Sequence, residues 1–285
     1  KDKDLRLTAN YSRTEVEGSI AAFPTITPEL EAALPERFTR VNGVLQSIDA
    51  RPLNFQKAEQ QEIRWGLNFS TPFGKPDPAA AGRMVRGPGG PGGGPGAGGP
   101  PPGGGGMRMG GGGRGGRGAA MQPGQGRFNV SLYHTYRIQD EITIRDGLPV
   151  LDLLDGAAIG ARGGQSRNEV QFQAGLFKSG MGGFLNANWK ESTRISGGSS
   201  PTDDLSFSDL TTVNLNLFAD LSSRQTWVAK YPWLKGARVS IGIENLFDQR
   251  LDVRDGLGET PLSYQPDYLD PLGRTFRISL RKILF

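Results

Sequence analysis

Residues 5–14 alternate strictly, with Leu5, Leu7, Ala9 and Tyr11 on one side and Arg6, Thr8, Asn10 and Ser12 on the other. A period of two belongs to a strand whose faces meet two different environments. Residues 62–70 repeat the pattern most cleanly, setting Ile63, Trp65, Leu67 and Phe69 against Glu62, Arg64, Gly66, Asn68 and Ser70. An aromatic residue lies near each end of that apolar stripe. Phe128, Val130, Leu132, His134, Tyr136 and Ile138 share the next face, and the run continues towards Ile142 and Ile144. Val170, Phe172, Ala174 and Leu176 follow, then Leu185, Ala187 and Trp189. The Gly-rich segment 178–183 between those two runs signals a hairpin. Val213, Leu215, Leu217 and Leu221 oppose Thr212, Asn214, Asn216 and Asp220; Val239, Ile241 and Ile243 come next. In the closing run Phe276, Ile278 and Leu280 point away from Arg277, Ser279 and Arg281, ahead of a terminal Phe285.

These runs predict an all-β chain of about eight strands, joinable as neighbouring antiparallel pairs. No helix-period segment is long enough to cover a sheet. One short helix is expected inside the loop 18–44, with Thr27 as N-cap, Pro28 at the first helical position and Glu29 in the first turn. If the chain ends on the periplasmic side, loops 18–44, 150–167, 196–204 and 248–272 fall outside. Segments 76–126, 178–183 and 222–236 fall inside. Alternation alone fits a soluble sandwich as well as a membrane barrel. The closing strand, so apolar on one face, so basic on the other and aromatic at its end, favours lipid outside and a wet lumen inside. The architecture this strand favours is an antiparallel transmembrane β-barrel segment, with the soluble sandwich left open by the alternation itself.

The composition does not oppose this. A hydrophobic content of 36% and a mean hydropathy of −0.42 look polar, and no apolar run approaches the ~20 residues of a membrane helix. Alternating strands dilute that signal, however. Cysteine is absent and there is one histidine, so a thiolate nucleophile, a zinc cluster or a His-based triad is not expected. His134 is assigned no role. The loop carboxylates Asp203, Asp204 and Asp252 lack the spacing of a calcium loop, and no catalysis, metal or cofactor is expected. Glu62, Arg64, Glu169, Arg238, Glu244, Arg277 and Arg281 are placed in the lumen.

Residues 76–126 hold roughly half of the 43 glycines and divide the chain into strands 1–75, a Gly/Pro/Arg-rich insert expected to be disordered, and strands 127–285. Gly113-Arg114-Gly115-Gly116-Arg117-Gly118 is similar to an RGG box, which would make a soluble RNA-binding β protein the rival reading. With few arginines and no aromatic residue to stack bases, the insert is read as a flexible periplasmic turn without nucleic-acid binding.

Several blocks carry a resemblance. Residues 264–276 (Tyr-Gln-Pro-Asp-Tyr-Leu-Asp-Pro-Leu-Gly-Arg-Thr-Phe), with Gly273, Phe276, Ile278, Leu280 and the terminal Phe285, resemble the carboxyl end of TonB-dependent outer-membrane receptors. Asn245-Leu246-Phe247-Asp248 resembles their penultimate-strand motif, and residues 208–215 and 232–236 are similar to the blocks before it. The likeness covers residues 204–285 well and earlier strands more loosely. It implies a larger barrel of 22 strands, an amino-terminal plug, and a location in the bacterial outer membrane. The implied partners are outer-membrane lipid, the barrel assembly machinery and the TonB energy-coupling protein. The implied activity is import of a scarce solute such as a ferric siderophore, cobalamin or an oligosaccharide. The chain opens within an alternating run and is read as the last third or so of such a barrel; a complete eight-stranded structural barrel or adhesin is the alternative. One departure is local: Phe285 is out of phase with Phe276, Ile278 and Leu280, which predicts a bulge near Lys282 or a tail that leaves the sheet.

Overall fold

A computed structural model describes residues 3–75, 124–160, 163–197 and 200–283 of the chain. In order these form β1 (Asp4–Ala21), α1 (Pro28–Ala33), β2 (Phe38–Val41), β3 (Val44–Ile48), β4 (Leu53–Phe73), β5 (Gly126–Thr143), β6 (Leu151–Asp152), β7 (Asn168–Lys178) and β8 (Met181–Lys190). They continue with β9 (Thr193–Ile195), β10 (Leu205–Phe207), β11 (Leu210–Asp220), α2 (Gln225–Lys230), β12 (Ala237–Glu244), β13 (Val253–Asp255), α3 (Pro266–Leu269) and β14 (Thr275–Lys282). One antiparallel sheet dominates, running β1-β4-β5-β7-β8-β11-β12-β14, with β6 beside β5. Among the described residues β1 pairs only with β4 and β14 only with β12, so the sheet is open at both edges.

Register explains why the alternation is so regular. One row crosses the whole path through Leu5, Phe69, Val130, Ala174, Leu185, Leu215, Ile243 and Phe276. The row beside it reads Arg6, Asn68, Ser131, Gln173, Asn186 and Asn214. A slip of one residue at any pairing would mix the two faces, so each strand's pattern fixes its neighbour's register.

The strands run longer than their alternation. β1 continues to Ala21 and β4 begins at Leu53, because Glu15, Glu17, Lys57 and Glu59 are polar where the apolar stripe has ended yet still pair across the ladder. Gly126 opens β5 and so belongs to the sheet instead of the insert. Ile138 falls at a register shift opposite Gln61 and Glu62, which separates it from the stripe it was expected to join. Leu221 lies beyond the end of β11. Residues 76–123 of the insert, including its Arg-Gly segment, and Phe285 lie outside the described residues. Up to Lys282 the β12–β14 ladder shows no register shift.

The long connections gather at one end and form an ordered layer. Thr27 caps α1 by accepting from the Leu30 N–H at 3.2 Å, with Pro28 in its first turn, as the sequence predicts. Asn42-Gly43, both at positive φ (52° and 81°), turns β2 into β3 within the segment expected to be loop. The Thr25 N–H donates to the Ala158 carbonyl (2.8 Å) and that of Ser196 to Gly156 (2.8 Å); β9, β10 and β13 form a small sheet. Each long connection is thereby tied to the next. Two apolar cores sit here, one around Phe23, Leu30, Leu34, Phe55, Ile142 and Ile144, the other around Ala158, Ile195, Phe207 and Val253.

Candidate functional site: a two-faced sheet under a loop layer

The apolar face is broad and largely uncovered. Leu7 is 71% exposed and Ile278 77%, with Leu5, Phe276 and Leu280 nearly as open. Its stripe crosses the rows obliquely, from Leu5–Tyr11 on β1 to Phe276–Leu280 on β14. Its centre drifts by about five residues over seven strand steps, so at ~3.3 Å per residue and ~4.8 Å per strand the strands lean roughly 25° from the normal of the band. Tyr11, Trp65, Tyr136 and Trp189 edge the stripe beside the loop layer. Two of these polar tips are tied to a side-chain oxygen: the Tyr11 hydroxyl donates to Gln61 Oε1 (3.0 Å) and Trp189 Nε1 donates to Asp209 Oδ2 (3.0 Å).

His134, given no role from sequence, links a chain across three strands. Trp65 Nε1 donates to His134 Nδ1 at 2.9 Å. Indole nitrogen can only donate, so the neutral ring carries its proton on Nε2 and gives it to Asn168 Oδ1, also at 2.9 Å. Asn168 Nδ2 then donates to Glu191 Oε2 at 2.7 Å.

The opposite face is polar and hydrogen-bonded within itself. Ser131 Oγ and the Tyr133 hydroxyl both donate to Asn68 Oδ1, at 2.7 and 2.8 Å, and Arg64 donates to Gln171 Oε1 at 3.0 Å. The Tyr133 ring lies over Gly66, where a Cβ would meet ring carbon at 2.3 Å, and the Arg64 guanidinium stands 5.0 Å from the same ring. Near the loop layer Arg137, only 9% exposed, pairs with Glu169 at 3.2 Å and donates to the Ser166 carbonyl at 2.7 Å. Lys190 approaches Glu169 at 3.8 Å. Glu244 and Arg277 pair at 3.6 Å on the same face. At the far end Phe177, Phe184 and Phe218 form an apolar island, with Arg238 stacked 4.4 Å over Phe218.

The two motifs singled out in the sequence meet. Asn245 follows β12 at φ 51°, its N–H donating to Asn214 Oδ1 (2.8 Å) and its side chain bridging both polar groups of the Gln249 backbone. The Leu246 N–H donates to the Val213 carbonyl, while Phe247 is exposed. Asp248, at φ 55°, accepts the Arg274 N–H on Oδ1 at 2.8 Å, and Arg274 Nη1 returns to the Leu246 carbonyl. Gly273 sits at φ 55°, and a Cβ there would lie 2.4 Å from Asp248 Oδ1. The spacing of the two blocks is thus the length of chain needed to leave β12, fold α3 and return as β14. Phe276, Ile278 and Leu280 then stand on the apolar edge.

Two recesses open in the loop layer. One of about 310 Å³ is lined by Pro24, Leu30, Ile144, Leu151, Asp152 and Ala158 among others; one of about 510 Å³ by Gln165, Glu169, Lys190, Glu191 and Phe207. The layer's rim is charge-matched: Arg40 beside Glu31 (2.8 Å) holds that carboxyl below its ordinary range, and Arg51, assisted by Arg37, does the same to Asp49. No cluster of His, Cys, Asp and Glu suited to a metal occurs among the described residues. No helix there is long and apolar enough to cross a membrane, a test that does not address strands. No family model, no curated protein and no solved structure matches the chain.

Proposed function

We propose that the chain is the carboxyl-terminal wall of an outer-membrane β-barrel, belonging to a TonB-dependent receptor that imports a scarce solute. The observation that carries this reading is the apolar row spanning all eight strands of the sheet path, backed by a polar row one residue away. An aqueous sheet would bury such a face against a second layer, whereas lipid satisfies it where it stands. The stripe averages six or seven residues, roughly 22 Å at ~3.3 Å per residue, near the ~25 Å apolar band of outer-membrane barrels. A strand lean accompanies barrel closure, typically ~35–45° when the barrel is complete. The open edges at β1 and β14 favour more strands over closure of this set upon itself.

In this role the apolar face meets lipid, the polar face lines the lumen, and the knitted long connections form the outer surface that captures the solute. The chain supplies wall and loops; a plug supplied elsewhere in the receptor gates the path. Reading the gene upstream of residue 1 tests the assignment. A plug-like domain and further alternating strands support a receptor; a signal peptide directly abutting Lys1 means a small complete barrel and removes the import mechanism. Protease-protected strands after refolding into lipid vesicles are expected in either case.

A further inference from the structure

We infer that the connection between β11 and β12 is a docking platform for anionic phospholipid headgroups, resting on the reading of the sheet as membrane-spanning. The two ends of the apolar face treat their tryptophans differently. Beside the loop layer Trp65 and Trp189 spend their indole N–H on His134 and Asp209. At the other end Trp227 and Trp233 are 50% and 62% exposed, and neither indole donates to a described residue. Tyr231 is exposed between them with the Lys230 ammonium 5.4 Å over its ring.

Charge separates the two ends as well. Residues 221–238 hold Arg224, Lys230, Lys235 and Arg238 and no carboxylate. In the loop layer Arg37, Arg40 and Arg51 each face an acid, but neither Arg224 nor Lys230 makes an ion pair with a described residue. The segment is nevertheless rigidly held. Ser223 Oγ donates to the Ser179 carbonyl in the β7–β8 turn (2.9 Å), the Gly236 N–H to Ser222 Oγ (2.9 Å), and the Lys282 ammonium to the Trp233 carbonyl. Arg224 reaches Met181 Sδ at 3.8 Å, which places the platform directly against the last row of the apolar stripe.

An ordered surface with exposed indoles that donate to no described residue, and with Arg224 and Lys230 outside any ion pair to one, suits the headgroup layer of a leaflet where it borders an apolar band. Aromatic rings settle at that depth, and cations there are attracted by negative lipid. The occupant is an anionic glycerophospholipid, its phosphate accepting from the indoles and facing Lys230, its acyl chains along the stripe.

The test refolds the full chain into vesicles of phosphatidylcholine alone or phosphatidylcholine containing phosphatidylglycerol. Protease protection reports insertion, and partitioning between the two vesicle types reports lipid preference. Wild type is expected to insert in both and to favour the anionic vesicles by about fivefold or more per engaged cation, a preference that salt weakens. Lys230→Gln should lose about fivefold of that preference while Lys230→Arg retains it, both inserting normally into phosphatidylcholine. Quenching of wild-type tryptophan by brominated phosphatidylglycerol beyond that by brominated phosphatidylcholine supports the platform without any variant. Equal partitioning, or a preference untouched by Lys230→Gln, overturns the platform and leaves the wall intact. No insertion into either vesicle overturns the membrane reading, and the platform with it.

Discussion

The loop layer and the sheet obey opposite burial rules within one chain. In the layer, and where the start of β4 enters it, Val253 and Phe55 are essentially sealed from solvent, and the charges ring the outside in matched pairs. In the sheet many large apolar side chains stand outward, while polar ones such as Asn68, Tyr133 and the near-buried Arg137 find partners on their own face or in the adjoining backbone. Both arrangements follow from the same physics with different solvents. Where water surrounds an element, apolar area leaves it for a core; where the surroundings are apolar, polar groups must find partners inside. Under the proposed membrane assignment the loop layer faces water and the sheet's apolar face meets lipid.

The sharpest way to break this contrast is in the aqueous core. Phe55→Ala removes the ring at the centre of the cluster formed by Phe23, Leu30, Leu34, Ile142 and Ile144, and should cost about 3–5 kcal/mol. The loss should be local. Hydrogen exchange of the lipid-embedded protein is expected to quicken over residues 21–55 and 142–159 while the ladder β7-β8-β11 keeps its protection. If the ladder opened in step, the layer and the sheet would be a single cooperative unit and the comparison would fail.

The second test reverses a sign. Leu185 sits mid-row between Ala174 and Leu215, far from both aromatic edges. In a bilayer Leu185→Arg should destabilise the folded state by about 2–4 kcal/mol, the range for a cation at the midplane of a barrel wall. On a water-exposed sheet the same change is neutral or improves solubility. Denaturant titration in vesicles distinguishes the two, and a stabilised variant would sink the membrane reading outright.

The two regions were unequally legible for the same reason. Along the sheet each residue answers to one of two environments, so Ile63, Trp65, Leu67 and Phe69 announce their face without any knowledge of neighbours. The carboxyl-terminal blocks were legible too, yet the contact that explains them, Asp248 with the Arg274 N–H beside Gly273, joins positions 26 residues apart and has no periodic trace. At the base of the layer Phe23, from the connection after β1, meets Phe55 at the start of β4 and Ile142 near the end of β5, and no local pattern marks them as one core. The β2–β3 hairpin did leave a signal, Asn42-Gly43 between Val41 and Val44, which the prolines on its amino-terminal side masked. His134 hid because its partners Trp65 and Asn168 lie on two different strands.

The smallest expected effect comes from the rim of the loop layer. Glu31 beside Arg40, and Asp49 beside Arg51 and Arg37, have their carboxyl pKa values lowered in the folded chain. Each therefore binds fewer protons folded than unfolded as pH falls, and the stability it lends is complete only above the ordinary carboxylate range. That contribution should be constant from neutral pH down to about 4.5, the unshifted value for a glutamate, and should then fade as pH drops towards the lowered native values. The groups are solvent-accessible and the pairs correspondingly weak, so global unfolding will barely register them. Local proteolysis of Phe38–Ile48 will. Arg40→Gln should shrink the acid limb of that profile, because Glu31 loses the hydrogen bond and charge that lower it while Asp49 keeps those from Arg51 and Arg37. A hairpin that became more resistant on acidification would mean the rim carboxylates repel each other more than the arginines hold them, and the layer's charge-matched surface would have to be abandoned.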